Sequence, residues 1–246
     1  MILSGSLSAG GADKIAKQWL NLIMLVDCSS SMRGERMKQV NEAIRDIKTR
    51  LIDMQNENAN VDFYITVITY STDAFFLNGD RCKSIEDFDF KGIKGGGWSN
   101  LHIAYRKLAD ILKKESQGGI MPDYGGVAPI ILLMTDGHPT KGNVKEELFA
   151  LKKLPWFRVA LKYGIAIELS DNRTISCLTD FVAGNGDVIE CYDSRILERI
   201  IKIIVLTASK VKSTSANVCA GKTVSATEEV KIQVKQAIAE VDDWEW

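Results

Sequence analysis

Histidine is nearly absent: His102 and His138 are the two in 246 residues, too few to build a histidine-rich metal site. Cysteine is sparse as well. Cys28, Cys82, Cys177, Cys191 and Cys219 are widely spaced, odd in number and contain no CxxC pair. That pattern excludes a zinc ribbon or a thioredoxin-type motif and reads as reduced, mostly buried thiols of an intracellular protein. An excess of one charge is missing too. Lys and Arg number 31 against 32 Asp and Glu, a net charge of −1. Without a basic footprint, no nucleic-acid partner is expected. Long apolar runs are also lacking. The longest are Leu20–Val26 and Ile200–Leu206, the second broken by Lys202, and both fall short of the ~20 residues of a membrane helix. Met1 to Gly11 has neither the basic start nor the apolar stretch of a secretory signal. The expectation is a cytoplasmic protein with no membrane partner.

What remains is globular composition, 46% hydrophobic and 26% charged. Such a chain has enough apolar surface to bury and is not disordered throughout. The length suits one large domain or two small ones. Residues 1–18, rich in Ser, Gly and Ala, predict a flexible lead-in. Near-continuous apolar runs at 19–26 and 129–135 predict strands covered on both faces. Further strands are predicted at 61–70, 158–168 and 187–191, with a short antiparallel partner at 74–77. Helices are predicted at 34–54, 101–114, 144–153, 174–183 and 194–210, the first from apolar residues three and four apart. Strands thus alternate with helices from 19 to 212. This predicts an α/β fold, a doubly wound and mostly parallel six-stranded sheet with helices on both faces and one short antiparallel edge strand. Residues 213–246 predict a linker and an amphipathic, acidic tail ending in Trp244 and Trp246.

In such sheets the loops leaving the carboxyl ends of strands build the site. Three polar segments fall there or beside it: Asp27-x-Ser29-x-Ser31, Gly97-Trp98-Ser99 and Thr135-Asp136-Gly137. Ser29, Ser31 and Ser99 with Asp27 and Asp136 supply three hydroxyls and two carboxylates, hard oxygen donors suited to Mg²⁺ or Mn²⁺. Each segment has a plainer reading. Asp27–Ser31 is also a helix-entry turn, Ser99 also an N-cap, and Asp136-Gly137 also a common turn. The Gly95–Gly97 run is not a phosphate-binding P-loop, because no Lys-Ser/Thr follows it.

These three motifs, in this order, resemble the von Willebrand factor type A (VWA) domain and its metal-ion-dependent adhesion site (MIDAS). The resemblance covers about residues 19 to 210 and implies a Rossmann-like fold. It implies direct metal ligation by Ser29, Ser31 and Ser99, with Asp27 and Asp136 acting through water. It also implies a protein partner that supplies an Asp or Glu to the metal. The chain departs from the family in having Ser99 where Thr is usual, which keeps the hydroxyl but loses the methyl that restricts its rotamer. A narrower resemblance, carried by Asp27–Gly34, Leu133–Thr140 and Thr207–Ser215, is to bacterial TerY-like proteins of tellurium-resistance clusters. It implies a stress-response or signalling setting with a kinase or phosphatase as partner.

The function expected is a metal-dependent protein-interaction module, with Trp98 and His138 as rim contacts and Trp244 and Trp246 as a possible docking tail. His138 also reads as a solvated loop residue, and the two Trp as folded back on the body. Asp242, Asp243 or Glu245 is a candidate internal ligand that would mask the site. No enzyme is expected. An aspartate phosphatase needs a carboxylate where Ser29 stands, and no GxSxG elbow occurs. A scaffold with a degenerate metal site is the alternative, with phosphatase-like hydrolysis behind it.

Overall fold

The computed structural model describes residues 18–57, 61–139, 141–168 and 171–191. The expected helix at 194–210, the linker, the tail with its two Trp, the lead-in to residue 17 and Cys219 lie outside the described residues.

The central strand β1 (Gln18–Asp27) pairs in parallel with β2 (Val61–Tyr70) on one side and β5 (Ile130–Thr135) on the other. Beyond β5 the sheet continues in parallel through β6 (Leu161–Ile167) to β7 (Gly186–Cys191). The antiparallel β3 (Ala74–Phe76) closes the opposite edge, giving the order β3-β2-β1-β5-β6-β7. The chain runs outward from β1 in one direction and later from β5 in the other. Such a reversal opens a crevice at the carboxyl ends of the two central strands.

The apolar runs are explained by cover on both faces. Leu22, Met24 and Val26 of β1, with Ile130, Leu132 and Met134 of β5, pack with α1 (Glu35–Glu57). Met37, Val40, Ala43, Ile44, Ile47 and Leu51 form the buried stripe of that helix. Ile23 and Leu25 with Ile131 and Leu133 face the other way. They meet α2 (Leu101–Ile111), α3 (Val144–Lys152), the short α4 (Pro155–Val159) and α5 (Asn172–Val182). Each fully buried Leu or Ile contributes about 1.5–3 kcal/mol. The two central strands, buried from Leu20 to Asp27 and from Ile130 to Thr135, are therefore the stiffest platform for a site.

Three expectations need adjustment. The sheet has seven strands among the described residues, because β4 (Lys83–Ser84) also pairs antiparallel with β2. Two residues are too few for alternation to be visible in a sequence. The strand expected from Arg158 begins at Leu161. Pro155 stands in the first turn of α4 and its fixed φ starts a helical turn there. Of the described cysteines, all four are free, but only Cys28 and Cys191 are buried. No described helix is long and apolar enough to cross a membrane.

Candidate metal centre

Asp27 is the last residue of β1 and Thr135 the last of β5. Asp136 follows directly, so the central strands themselves aim both carboxylates into the crevice. After Asp27 the chain leaves the sheet in a 3-10 turn, Ser30–Met32. That turn is zipped to the glycine loop: Ser30 N donates to Gly97 O at 3.0 Å and Gly96 N to Cys28 O at 2.6 Å. Gly97 has φ of 98°, and a Cβ there would stand 2.7 Å from Thr72 Oγ1, so the position requires glycine. Thr72 holds the next residues in turn, accepting from Trp98 N at 3.2 Å and, through its carbonyl, from Asn100 Nδ2 at 2.8 Å. Ser99 is thereby delivered beside Asp27.

The hydroxyls donate to the carboxylates. Ser99 Oγ donates to Asp27 Oδ2 at 2.9 Å, and Ser31 Oγ to Asp136 Oδ1 at 2.8 Å. Ser29 Oγ and Ser31 Oγ are 3.0 Å apart. With hydrogens of Ser99 and Ser31 so engaged, oxygen lone pairs are left for a cation. The structure brings all five candidate ligands to one open pocket of about 190 Å³.

Asp27 is 0% exposed. Burial raises its carboxyl pKa above the ordinary value, opposed by hydrogen bonds from the Ser29 amide and from the Thr135, Ser29 and Ser99 side chains. All these partners are neutral. A buried carboxylate without a cation is costly, and a divalent ion at the pocket would relieve that cost. The donor set fits Mg²⁺ or Mn²⁺ on these grounds. Among the described residues no group of three or more His, Cys, Asp and Glu forms a metal cluster. The negative charge of the centre thus comes from two carboxylates, and the other donors are hydroxyls.

Asp136 differs. Arg36, from the first turn of α1, donates from Nη1 to Asp136 Oδ2 at 2.7 Å and from Nε to Glu168 Oε2 at 2.6 Å. Its Nη1 also meets Ser31 O at 3.0 Å. Glu168 follows β6 with φ of 62°, uncommon for a residue with a side chain. Arg36, Glu168 and Thr135 are partners of the candidate ligands or of one another that sequence reasoning missed. Thr135 Oγ1 donates to Asp27 Oδ2 at 2.7 Å, and its place beside Asp136 was the available signal. Arg36 and Glu168 offered none, being 132 positions apart.

The two rim residues line the same pocket. Trp98 is 57% exposed, with Lys141 Nζ 4.9 Å from its ring centroid. His138 Nδ1 lies 3.4 Å from Asp171, the N-cap of α5. Cys28, the residue between Asp27 and Ser29, points into the core as expected, and burial followed by the charge of Asp27 pushes its thiol up to about 12. His102 sits in the first turn of α2 and is not among the residues that line this pocket.

Known proteins share this fold. The inter-alpha-trypsin inhibitor heavy chain H2 of Mesocricetus auratus is 32% identical over 128 residues. That match spans 51% of this chain and 13% of the relative. Heavy chain H2 of Homo sapiens is 30% identical over 127 residues, again 51% of this chain and 13% of the relative. Among solved structures, a von Willebrand factor type A protein from Catenulispora acidiphila superposes with a TM-score of 0.58 at 14% identity, covering 79% of this chain and 43% of that one. Proximal thread matrix protein 1 of the mussel byssus, with a zinc-occupied MIDAS motif, gives a TM-score of 0.53 at 19% identity over 77% of this chain and 48% of that one. The model of the von Willebrand factor type A domain matches residues 21–187, and the chain belongs to that family.

Proposed function

We propose that the crevice holds Mg²⁺ or Mn²⁺ through Ser29, Ser31, Ser99, Asp27 and Asp136, and that the bound ion captures an Asp or Glu of a protein partner. The observation that carries this is the buried Asp27 carboxylate, supplied only with neutral donors and set among three hydroxyls. A dication there supplies a positive charge that an acidic side chain can complete. The protein's part is to hold the oxygens: β1 and β5 fix the carboxylates, and the interlocked loops fix the hydroxyls. Trp98 and His138 stand at the mouth, where a partner would meet them. The zinc in the mussel protein's motif supports occupation by a divalent ion, without choosing the metal.

The reading assigns no turnover, since Ser29 stands where an aspartate phosphatase would need its general acid. A cytoplasmic, bacterial tellurium-resistance or stress-response setting, with a kinase or phosphatase as partner, is the narrower form of the proposal. It rests on the segments Asp27–Gly34, Leu133–Thr140 and Thr207–Ser215 alone, the last outside the described residues.

Thermal unfolding tests the metal step. Saturating Mg²⁺ should raise the melting temperature reversibly, since ligand at a hundredfold excess over Kd adds about 2.7 kcal/mol. Ser29→Ala with Ser31→Ala should remove the rise. A metal-induced rise that survives the double substitution would contradict the assignment.

A further inference from the structure

A second concavity lies beside the metal centre, between the start of α1 and residues 92–97. It measures about 360 Å³ and is ringed by Arg33, Lys38, Arg45 and Lys94, with no carboxylate among the described residues that line it. Its floor is apolar: Met37 is 4% and Ile93 8% exposed. The wall is fixed, because Asn41 Nδ2 donates to Ile93 O at 2.9 Å and Ile93 N donates to Asn41 Oδ1 at 2.7 Å.

Among the described residues, two of the cations are held without a counter-charge. Arg33 Nε donates to the Gly95 carbonyl at 3.1 Å, and the Arg45 guanidinium lies 5.6 Å from the Phe90 ring centroid. Lys38 reaches Glu35 at 3.3 Å in an exposed pair, which is worth little. Lys94 has no ion pair among the described residues. Four like charges in one concavity repel one another and concentrate field there. Anionic groups relieve the repulsion, and the apolar floor adds a place for one hydrophobic side chain.

The same two segments of chain line the cleft and the metal centre. Arg33 is two residues beyond Ser31, and Gly95 is two before Gly97, which lines the metal pocket.

We propose that this cleft docks an acidic peptide segment carrying one apolar side chain, as a second contact of the partner whose carboxylate meets the metal. The identity of the partner rests on the proposed function. The binding itself does not, for the cleft contains no candidate metal ligand.

The probe is a fluorescein-labelled peptide, Asp-Glu-Phe-Asp-Glu, titrated with the full chain in EDTA and followed by anisotropy at low salt. Saturable binding is expected. It should weaken about tenfold or more in the Lys38→Glu, Lys94→Glu double variant, whose two exposed sites leave the melting temperature unchanged. It should be unaffected in Asp27→Ala, and the neutral peptide Asn-Gln-Phe-Asn-Gln should not bind. No binding, equal binding by the double variant, or displacement by millimolar inorganic phosphate alone would overturn the proposal, the last by making the cleft a free-anion site. Loss in Asp27→Ala with the double variant intact would place the peptide at the metal centre and overturn it too. If Mg²⁺ fails to bind while the peptide behaves as expected, the metal reading falls and the cleft stands.

Discussion

Asp27 and Asp136 leave the carboxyl ends of neighbouring parallel strands and face one pocket, yet their surroundings are opposite. Asp27 is buried among an amide and hydroxyls. Asp136 already has a cation, the Arg36 guanidinium, itself held by Glu168. The first carboxylate is short of positive charge and the second is not. The lesson is that two carboxylates at one crevice are neutralised in different ways before any ion arrives. One half of this centre is a charge deficit, and the other half is a fixed brace.

The sharpest way to break the comparison is to neutralise each carboxylate in turn in the metal-free protein. Asp27→Asn should raise the melting temperature, because it removes an uncompensated buried charge. Asp136→Asn should lower it, costing about 1–3 kcal/mol for the lost charge-assisted bonds of Arg36. Equal effects of the same sign would erase the distinction. The pH dependence follows from the raised Asp27 carboxyl. The folded state holds that proton more tightly than the unfolded chain does. Its stabilising contribution is full below the ordinary carboxylate value of 3.8 and is lost as pH rises through the raised value. Metal-free protein should therefore lose stability as pH climbs from the acid side, a slope that Asp27→Asn should flatten in a pH series of thermal melts.

Removing the brace is a smaller perturbation. Arg36→Met should lower metal-free stability by about 1–2 kcal/mol. It should also strengthen Mg²⁺ binding several-fold, because Ser31 still holds Asp136 while a competing cation is gone. Weaker binding in that variant would mean that Arg36 serves chiefly to place the carboxylate. Ser99→Thr should change least. The hydroxyl is kept and a rotamer restricted, so Mg²⁺ affinity should stay within about threefold, whereas Ser99→Ala should lose about tenfold or more.

The fold was legible where patterns were long. The apolar runs of β1 and β5 announced strands buried on both faces, and the stripe from Met37 to Leu51 announced α1. The two-residue β4 was not legible, because two positions carry no period. The five candidate ligands were legible because each stands in a short local motif at a strand end or helix start. Their convergence followed from the strand order. The Arg36–Glu168 brace was hidden, since it joins α1 to the end of β6 through side chains no local motif marks. The basic cleft was hidden for the same reason. Lys38 and Arg45 belong to α1, Arg33 precedes it, and only the fold brings Ile93 and Lys94 beside them.

The most direct test is calorimetric titration of Mg²⁺, then Mn²⁺, into metal-stripped protein, with Asp27→Ala as the comparison. The account predicts one saturable site in the native chain and none in the variant. Equal binding by both proteins, or heat from neither, would contradict a metal centre built on Asp27.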